Sequence, residues 1–396
     1  MTTEQLQKIT EVGRIYTPAY PIEIKDLFSG RKQQLQRAIS FIPQKGYHLM
    51  VYGDRGVGKT SFANVLMRFF ETSDRQVTRV SCSSKDTYDG LWRSVFAQFM
   101  VDKSRLKHSI GFNGGQKKGE SKVNLSSQAG KAPLTTAKVL SLLAHLQAPI
   151  IVLDEFDRLD TSNFDKGLFT DTIKAISDTM PHTKVVIVGV SEDISNLIVE
   201  HESIERNLGQ IHIPVMSAEE VIQIVQKGEA PLGLEFAESV VNKIVELSSG
   251  YPHFTHALCY HSCNTAILNE STTIDEPLLH FGIHQTLDNA HESLSNAYRV
   301  ATLATKQNIF SEVLYAASLA PVDEYGYFQA KDLEPILSCL LNRSVKTNNF
   351  TFHLGKFSTE ERGQILKMTG TKNRQRYKFK NPLMRSYIKL KNEESR

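Results

Sequence analysis

The strongest chemical signal in this chain of 396 residues is Gly53-Asp54-Arg55-Gly56-Val57-Gly58-Lys59-Thr60, which has the spacing G-x-x-x-x-G-K-T. It follows an apolar run, Tyr47 to Tyr52, and opens a segment of helical periodicity, Ser61 to Phe70. In that context glycines let backbone N–H groups curl around phosphate oxygens, a lysine neutralises the β/γ oxygens and a hydroxyl meets Mg²⁺. Lys59 and Thr60 supply the last two, and Gly53, Arg55, Gly56, Val57, Gly58 and Ser61 complete the set that would hold the nucleotide. Further along, Ile150-Ile151-Val152-Leu153-Asp154-Glu155 is an apolar strand that ends in two acids. Asp154 suits the water shell of Mg²⁺ and Glu155 suits polarising an attacking water, so the chemistry on offer is hydrolysis of ATP to ADP and phosphate. The competing reading is a strand that runs into a solvated acidic turn, since Asp157 and Asp160 follow.

These residues need a scaffold that brings strand ends together, and the pattern of elements provides one. A helix over Arg31 to Ser40, the strand before Gly53, the helix after Thr60, a strand at Gln76 to Ser81 and a helix around Gly90 to Met100 alternate as in a parallel, doubly wound sheet. Lys103 to Pro133 breaks the pattern, being Gly-, Ser-, Lys- and Asn-rich without periodicity. It reads as a mobile insertion, either a plain surface loop or one ordered by a ligand or nucleic acid. Alternation then resumes with a helix Leu134 to Leu146, the Ile150 strand, a helix near Phe169 to Met180 and a strand Lys184 to Val190, and the two strands read as buried on both faces. After Pro214 the expectation is helical: Ala218 to Lys227, Leu234 to Ser248, Phe254 to Leu268 and Leu278 to Ala301. Three short helices and two strands, Gly363 to Met368 and Arg376 to Phe379, close the chain and fit a winged helix.

Composition narrows the class. With 40% hydrophobic and 22% charged residues the chain is an ordinary globular protein of two or three domains. Its four cysteines, Cys82, Cys259, Cys263 and Cys339, have no C-x-x-C spacing, the amino-terminal residues lack an apolar leader, and no apolar run is long enough for a membrane span. A cytoplasmic location is expected. The net charge of +3 is uneven, because residues 343–396 hold 14 Lys+Arg against 4 Asp+Glu. A basic module that touches double-stranded DNA is one consequence, through Lys372, Arg374, Arg376 and Lys378 on a wing strand whose Tyr377 and Phe379 face a core. A solvated face of a protein adaptor is the other.

The order Gly53 to Thr60, Leu153-Asp154-Glu155, Ser191 after a strand, and Arg206 before an Ile211-to-Pro214 strand resembles an AAA+ ATPase, most closely the origin-recognition-like replication-initiator and STAND-like branch. That resemblance implies a fold of α/β class: a P-loop NTPase sheet core, a helical lid and a carboxy-terminal winged helix. It implies ATP and Mg²⁺ as ligands. Arg14-Ile15-Tyr16-Thr17-Pro18 resembles the branch's adenine-side entry and implicates Tyr16. Ser191 takes the sensor 1 position. Arg206 takes the place of an arginine finger that acts in trans, which implies a homo-oligomer; a surface charge paired with Glu202 is the alternative. Gly250-Tyr251-Pro252 resembles the GxP motif, whose proline packs near adenine. No sensor 2 arginine is evident, and His253 or His256 are the residues placed to face the nucleotide instead. A metal site at His256, Cys259 and Cys263 is rejected, because Cys behaves as a small core residue and a structural zinc needs a fourth ligand.

The domains expected are residues 1–26 as the adenine-side segment, 27–215 as the ATPase core with the insertion at 103–133, 216–301 as the lid, and 302–396 as the basic module. The function expected is an ATP-driven switch that oligomerises and couples nucleotide state to DNA or to a separately encoded effector, in antiviral defence or in transposition or replication control. Two alternatives stand beside it: a nucleotide-gated scaffold with negligible turnover, and a DNA-binding regulator dominated by the winged helix.

Overall fold

Parallel pairing of five strands is the core of the part that carries Lys59 and Asp154. The computed structural model describes residues 1–22, 29–71, 75–102, 122–190, 206–303, 308–323, 325–371 and 374–395. These fall into two units: one made of Ile22–Gly53 and Lys59–Ile213, the other of Met1–Pro21, Asp54–Gly58 and Pro214–Arg396.

In the first unit the strands are β1 (His48–Tyr52), β2 (Val77–Ser81), β3 (Met100–Asp102), β4 (Lys122–Asn124), β5 (Ile150–Asp154), β6 (Lys184–Gly189) and β7 (Leu208–His212). The main sheet runs β2-β5-β6-β1-β7 with every neighbouring pair parallel. β5 and β6 are buried along their whole length, as their unbroken apolar runs require of strands covered on both faces. The helix Lys59–Phe70 follows β1 directly, and Tyr88–Ala97, Thr136–Leu143 and Lys166–Thr179 fill the crossovers. Trp92, Phe96, Phe99 and Phe169 pack with Ile151 and Leu153 in one core. The expected aperiodic stretch is shorter than the composition indicated: Met100–Asp102 pairs antiparallel with Lys122–Asn124, and a single 3₁₀ turn, Leu125–Gln128, capped by Asn124, follows. Three-residue strands are too short to show a period, so the sequence pattern misses them. Residues 103–121 of that insertion lie outside the described residues.

The second unit is mostly helical. Its first element, the helix Thr3–Ile15, has a capping box between Thr2 and Gln5, a signal that the polar character of this stretch masks. Helices Ala218–Lys227, Glu238–Ser248, Pro252–Leu268, Glu276–Asp288 and Glu292–Thr302 follow. The last two correct the single helix expected over Leu278 to Ala301: the chain breaks at Asn289 and restarts after His291. Phe328–Gln329, Arg376–Phe379 and Leu366–Thr369 form an antiparallel three-stranded sheet, with Arg376–Phe379 in the middle. Helices Phe310–Leu319, Glu334–Leu340, Thr351–Phe357 and Met384–Glu394 surround that sheet in sequence. The last helix is fastened within the unit by Ser386 Oγ donating to Ser248 O at 2.8 Å and by the Lys243–Glu393 ion pair. Among the described residues no helix is long and apolar enough to cross a membrane.

Each unit buries a histidine that must stay neutral. His48 Nδ1 accepts Val185 N–H at 3.1 Å, and burial with Lys184 nearby pushes its pKa down to about 4. His256 Nδ1 accepts Thr17 N–H at 3.2 Å and is likewise held at about 4 by burial. A base whose folded pKa lies below its unfolded value of 6.5 loses its contribution as pH falls from 6.5 towards 4, at a cost of about 3 kcal/mol per histidine over the full span. Denaturant titrations at pH 7, 5.5 and 4.5 should show that decline. His48→Gln, which keeps an acceptor for Val185, should flatten it by about one proton; an unchanged slope would show that His48 is not the group titrating.

Candidate functional site

Local backbone chemistry decides where the phosphate-binding turn stands. β1 ends at Tyr52, and Gly56 (φ +86°) and Gly58 (φ +93°) take left-handed conformations that side-chain-bearing residues avoid, which lets the chain curl back before the helix starts at Lys59. In the sheet unit, Lys59 Nζ donates to Gly53 O at 3.0 Å, so the ammonium already folds over the turn it would share with phosphates. Ser61, expected among the nucleotide-binding residues, accepts Ile22 N–H on its Oγ at 3.1 Å and so holds the chain that enters the unit.

Thr60 and Asp154 are brought together. The Thr60 hydroxyl lies beside the Asp154 carboxylate, which is 3% exposed at the end of β5. Burial raises the pKa of Asp154, and the hydrogen bonds from Thr60 and Glu155 N–H and the charge of Arg79 pull it back. Strand order explains the meeting: only β6 lies between β1 and β5, so their carboxyl-terminal ends open on one edge. Two groups escaped the sequence reading. Arg79, on β2, approaches Asp154 Oδ2 at 3.9 Å while its Nη1 donates to Asn64 Oδ1 at 2.7 Å. Asp157 Oδ1 accepts Val190 N–H at 3.0 Å and ties the end of β6 to the turn after β5. A lone arginine in an otherwise uncharged strand was the available signal for the first, and an acid three residues beyond Asp154 for the second.

Glu155 stands in a left-handed conformation, φ 54° and ψ 38°, and its Oε2 accepts from Arg158 Nη1 at 2.8 Å. The carboxylate expected to orient water is therefore turned to a neighbouring guanidinium, in an ion pair half exposed on both sides. Ser191 lies outside the described residues. Arg206 is exposed just before β7.

In the other unit, Pro252 opens the helix Pro252–Leu268 and its Cγ comes within 3.7 Å of where a Cβ on Gly58 would stand. Arg55 is exposed and Val57 is buried. Tyr16 is 1% exposed, and its hydroxyl donates to Val225 O at 2.6 Å against the bare face of Gly228, where a Cβ would fall 2.2 Å from Tyr16 Oη. Tyr16 thus packs the helical unit, and the two histidines grip the residues after it: His253 Nδ1 lies 2.8 Å from Pro18 O, and His256 takes Thr17 N–H. Cys259 and Cys263 are buried on the same helix.

The basic hairpin divides. Tyr377 and Phe379 are buried, as the period of two requires. Arg376 pairs with Asp323 at 3.2 Å and lies over the Tyr327 ring. Arg374 and Arg376 line a cavity of about 580 Å³ together with Lys331, Thr347 and Thr351. Lys378 corrects the expectation that all these charges face outward: it is turned onto Asp54, because the face of the strand opposite Tyr377 is covered there. Lys372 lies outside the described residues.

Comparison with known proteins agrees with this geometry. Residues 43–198 match the AAA domain family. No curated protein matches the chain. A Walker-type ATPase of Pyrococcus abyssi superposes with a TM-score of 0.54 at 16% identity, over 95% of this chain and 99% of that one. The ORC2 protein of Aeropyrum pernix, solved in ADPNP and ADP complexes, superposes with a TM-score of 0.50 at 12% identity, over 96% and 98%. With the G-x-x-x-x-G-K-T turn and the buried Asp154 inside it, residues 43–198 carry an AAA domain, and the chain has the fold of the P-loop ATPases on which it superposes.

Proposed function

We propose that this protein is a Mg²⁺-dependent ATPase that works as a switch, changing its hold on DNA or on a separately encoded partner with its nucleotide state. The observation that carries the reading is the Thr60–Asp154 pair: a hydroxyl at the start of the phosphate-loop helix set beside a buried carboxylate whose pKa is raised by desolvation. A divalent cation fits such a donor set, since hard oxygens bind Mg²⁺ and its charge would relieve the cost of burying Asp154. Bound there, Mg²⁺ would neutralise charge on the triphosphate. Lys59, released from Gly53 O, binds the β/γ oxygens. Glu155 orients the attacking water once it leaves Arg158, and Asp157 holds the end of β6 where Ser191 follows. Arg206 completes a neighbour's site in a homo-oligomer; its exposure supports that role. The cavity lined by Lys331, Arg374 and Arg376 supports a polyanion such as double-stranded DNA as the partner, and helices interleaved with a three-stranded antiparallel sheet support a winged helix there. The likeness to a protein solved with ADPNP and ADP supports the choice of ligand.

A second reading has an observation in its favour. With Glu155 paired to Arg158 and left-handed, the chain would bind ATP and hold it as a scaffold with negligible turnover. Steady-state hydrolysis measured with and without double-stranded DNA separates the two. Lys59→Ala should lose nucleotide binding, while Glu155→Gln should keep binding and lose turnover by roughly 100-fold or more. Wild type and Glu155→Gln showing the same negligible turnover would favour the scaffold.

Action of Arg206 in trans has its own measurement. Arg206→Ala should bind ATP normally and not hydrolyse it, and mixing it with Glu155→Gln should restore activity at sites that combine an intact Glu155 with a neighbour's intact Arg206. No recovery on mixing would remove Arg206 from the neighbouring site. Asp157→Ala should lower the unfolding free energy by about 1–2 kcal/mol through the lost charged hydrogen bond to Val190, and lower kcat with little change in ATP affinity. A loss of affinity without a loss of kcat would contradict the placement of Asp157.

A further inference from the structure

An acid inside a phosphate-binding turn works against the turn. Asp54 directly follows Gly53, so its carboxylate repels the anion that the glycines, Lys59 and the helix start attract. Within the unit that contains Asp54–Gly58, the carboxy-terminal sheet answers this charge: Lys378 Nζ donates to Asp54 Oδ1 at 2.7 Å, and the two side chains are only 13% and 19% exposed. The surroundings are shaped for the pair. Lys378 Nζ lies 5.7 Å from the centre of the Tyr327 ring, a cation–π distance. Gly326 is left-handed at φ +81°, and a Cβ on it would meet Asp54 Oδ2 and Lys378 Cε at 3.4 Å each, so the backbone passes close to both partners. Leu383, just after the sheet, places its Cδ2 2.8 Å from where a Cβ on Gly56 would stand. Three separate points of the carboxy-terminal segment therefore meet the residues from Asp54 to Gly56.

We propose that Lys378 is a nucleotide-affinity residue, whose ammonium cancels the Asp54 charge and makes the phosphate turn competent only while the carboxy-terminal sheet is docked on it. The proposal rests on reading Gly53 to Thr60 as the nucleotide site. By linkage the dependence runs both ways: whatever holds the sheet on the turn tightens nucleotide binding, and bound nucleotide holds the sheet. The Lys378–Asp54 pair thereby couples phosphate binding to the module that carries Arg374 and Arg376.

The test is calorimetric titration of the full chain with Mg–ATP. Lys378→Met should weaken ATP binding on the order of tenfold at low salt, an effect that shrinks as salt is added. Asp54→Asn alone should tighten binding severalfold, and the double variant should return to within about threefold of wild type, since both charges are then gone. Lys378→Arg, which keeps the charge, should stay close to wild type. Hydrogen exchange at residues 376–383 should slow when ATP is added to wild type, and should slow less in Lys378→Met. An affinity unchanged in Lys378→Met, or a double variant as weak as Lys378→Met, overturns the proposal while leaving the nucleotide site standing. A wild type that does not bind ATP overturns the nucleotide reading and this inference with it. Loss of fold in Lys378→Met would show as a collapsed apo melting temperature, and the Asp54→Asn and Lys378→Arg arms then decide.

Discussion

A carboxylate that is 3% exposed is costly to keep ionised, and much of the sheet unit is arranged around the one at Asp154. One oxygen takes the Glu155 N–H, the Thr60 hydroxyl lies beside the carboxylate, and Arg79 stands at 3.9 Å. Each partner imposes a condition. Thr60 reaches Asp154 only if the helix starts at Lys59, which needs Gly56 and Gly58 left-handed. Arg79 stays aimed because Asn64, 4% exposed on that same helix, accepts from the same Nη1 that approaches Asp154. Donation of the Glu155 N–H to the preceding side chain goes with the left-handed backbone at Glu155, and the 3₁₀ turn that follows delivers Asp157 to Val190. The same turn carries Arg158 to Glu155, so the acid proposed to orient water is held in a half-exposed ion pair that solvent screens. Such a weak hold is easily released by a stronger partner.

The helical unit solves a different problem, that of fixing a chain entry with few apolar residues. Residues 16–18 carry one aromatic ring, and the unit closes on it with a glycine at 228, too close for any side chain, and a carbonyl at Val225. The next two residues are held through backbone groups by His253 and His256, and both histidines have depressed pKa values because they are buried. A neutral imidazole offers one donor and one acceptor. The two rings use opposite capacities on successive residues, His253 Nδ1 donating to Pro18 O and His256 Nδ1 accepting from Thr17. An arginine in either place would offer donors only, which accounts structurally for histidines on this helix.

What the sequence made legible follows from periodicity and motif. The strands of the main sheet and the meeting of Thr60 with Asp154 were readable, because G-x-x-x-x-G-K-T fixes a backbone conformation and an apolar strand ending in an acid fixes a place on the sheet. Elements of two or three residues are not readable, since neither period shows over so few positions: β3, β4 and the break at Asn289 go unseen, whereas the four-residue strand Arg376–Phe379 shows in its alternation of charge and aromatic. The amino-terminal helix was hidden by polarity, its buried face being little more than Val12 and Ile15. Arg79, Asp157 and Arg158 escaped for another reason. Their roles are pairings across the fold or across a single turn, and no spacing rule for one chain segment encodes them.

Charge shows the same limit at larger scale. An excess of ten positive charges over residues 343–396 reads as a surface made for polyanions. Much of it is used inside the unit. Arg385 donates to Ser318 O and Ala320 O, and Arg362 to Ala301 O and Leu303 O with its guanidinium stacked on Phe310. Lys389 donates to Glu246 O, and burial lowers its pKa to about 8; Lys391 pairs with Glu394 and Lys378 with Asp54. Arginine forks satisfy carbonyls at helix ends that would otherwise be left without donors, so these cations work as structural caps as much as charges. Less of the net charge is then left at the surface than the composition implies, and Arg374, Arg376 and Lys331 share the lining of one cavity. One strand, Arg376–Phe379, joins that cavity to the phosphate turn, with Arg376 on the first and Lys378 on the second, two residues apart and on the same face of the strand.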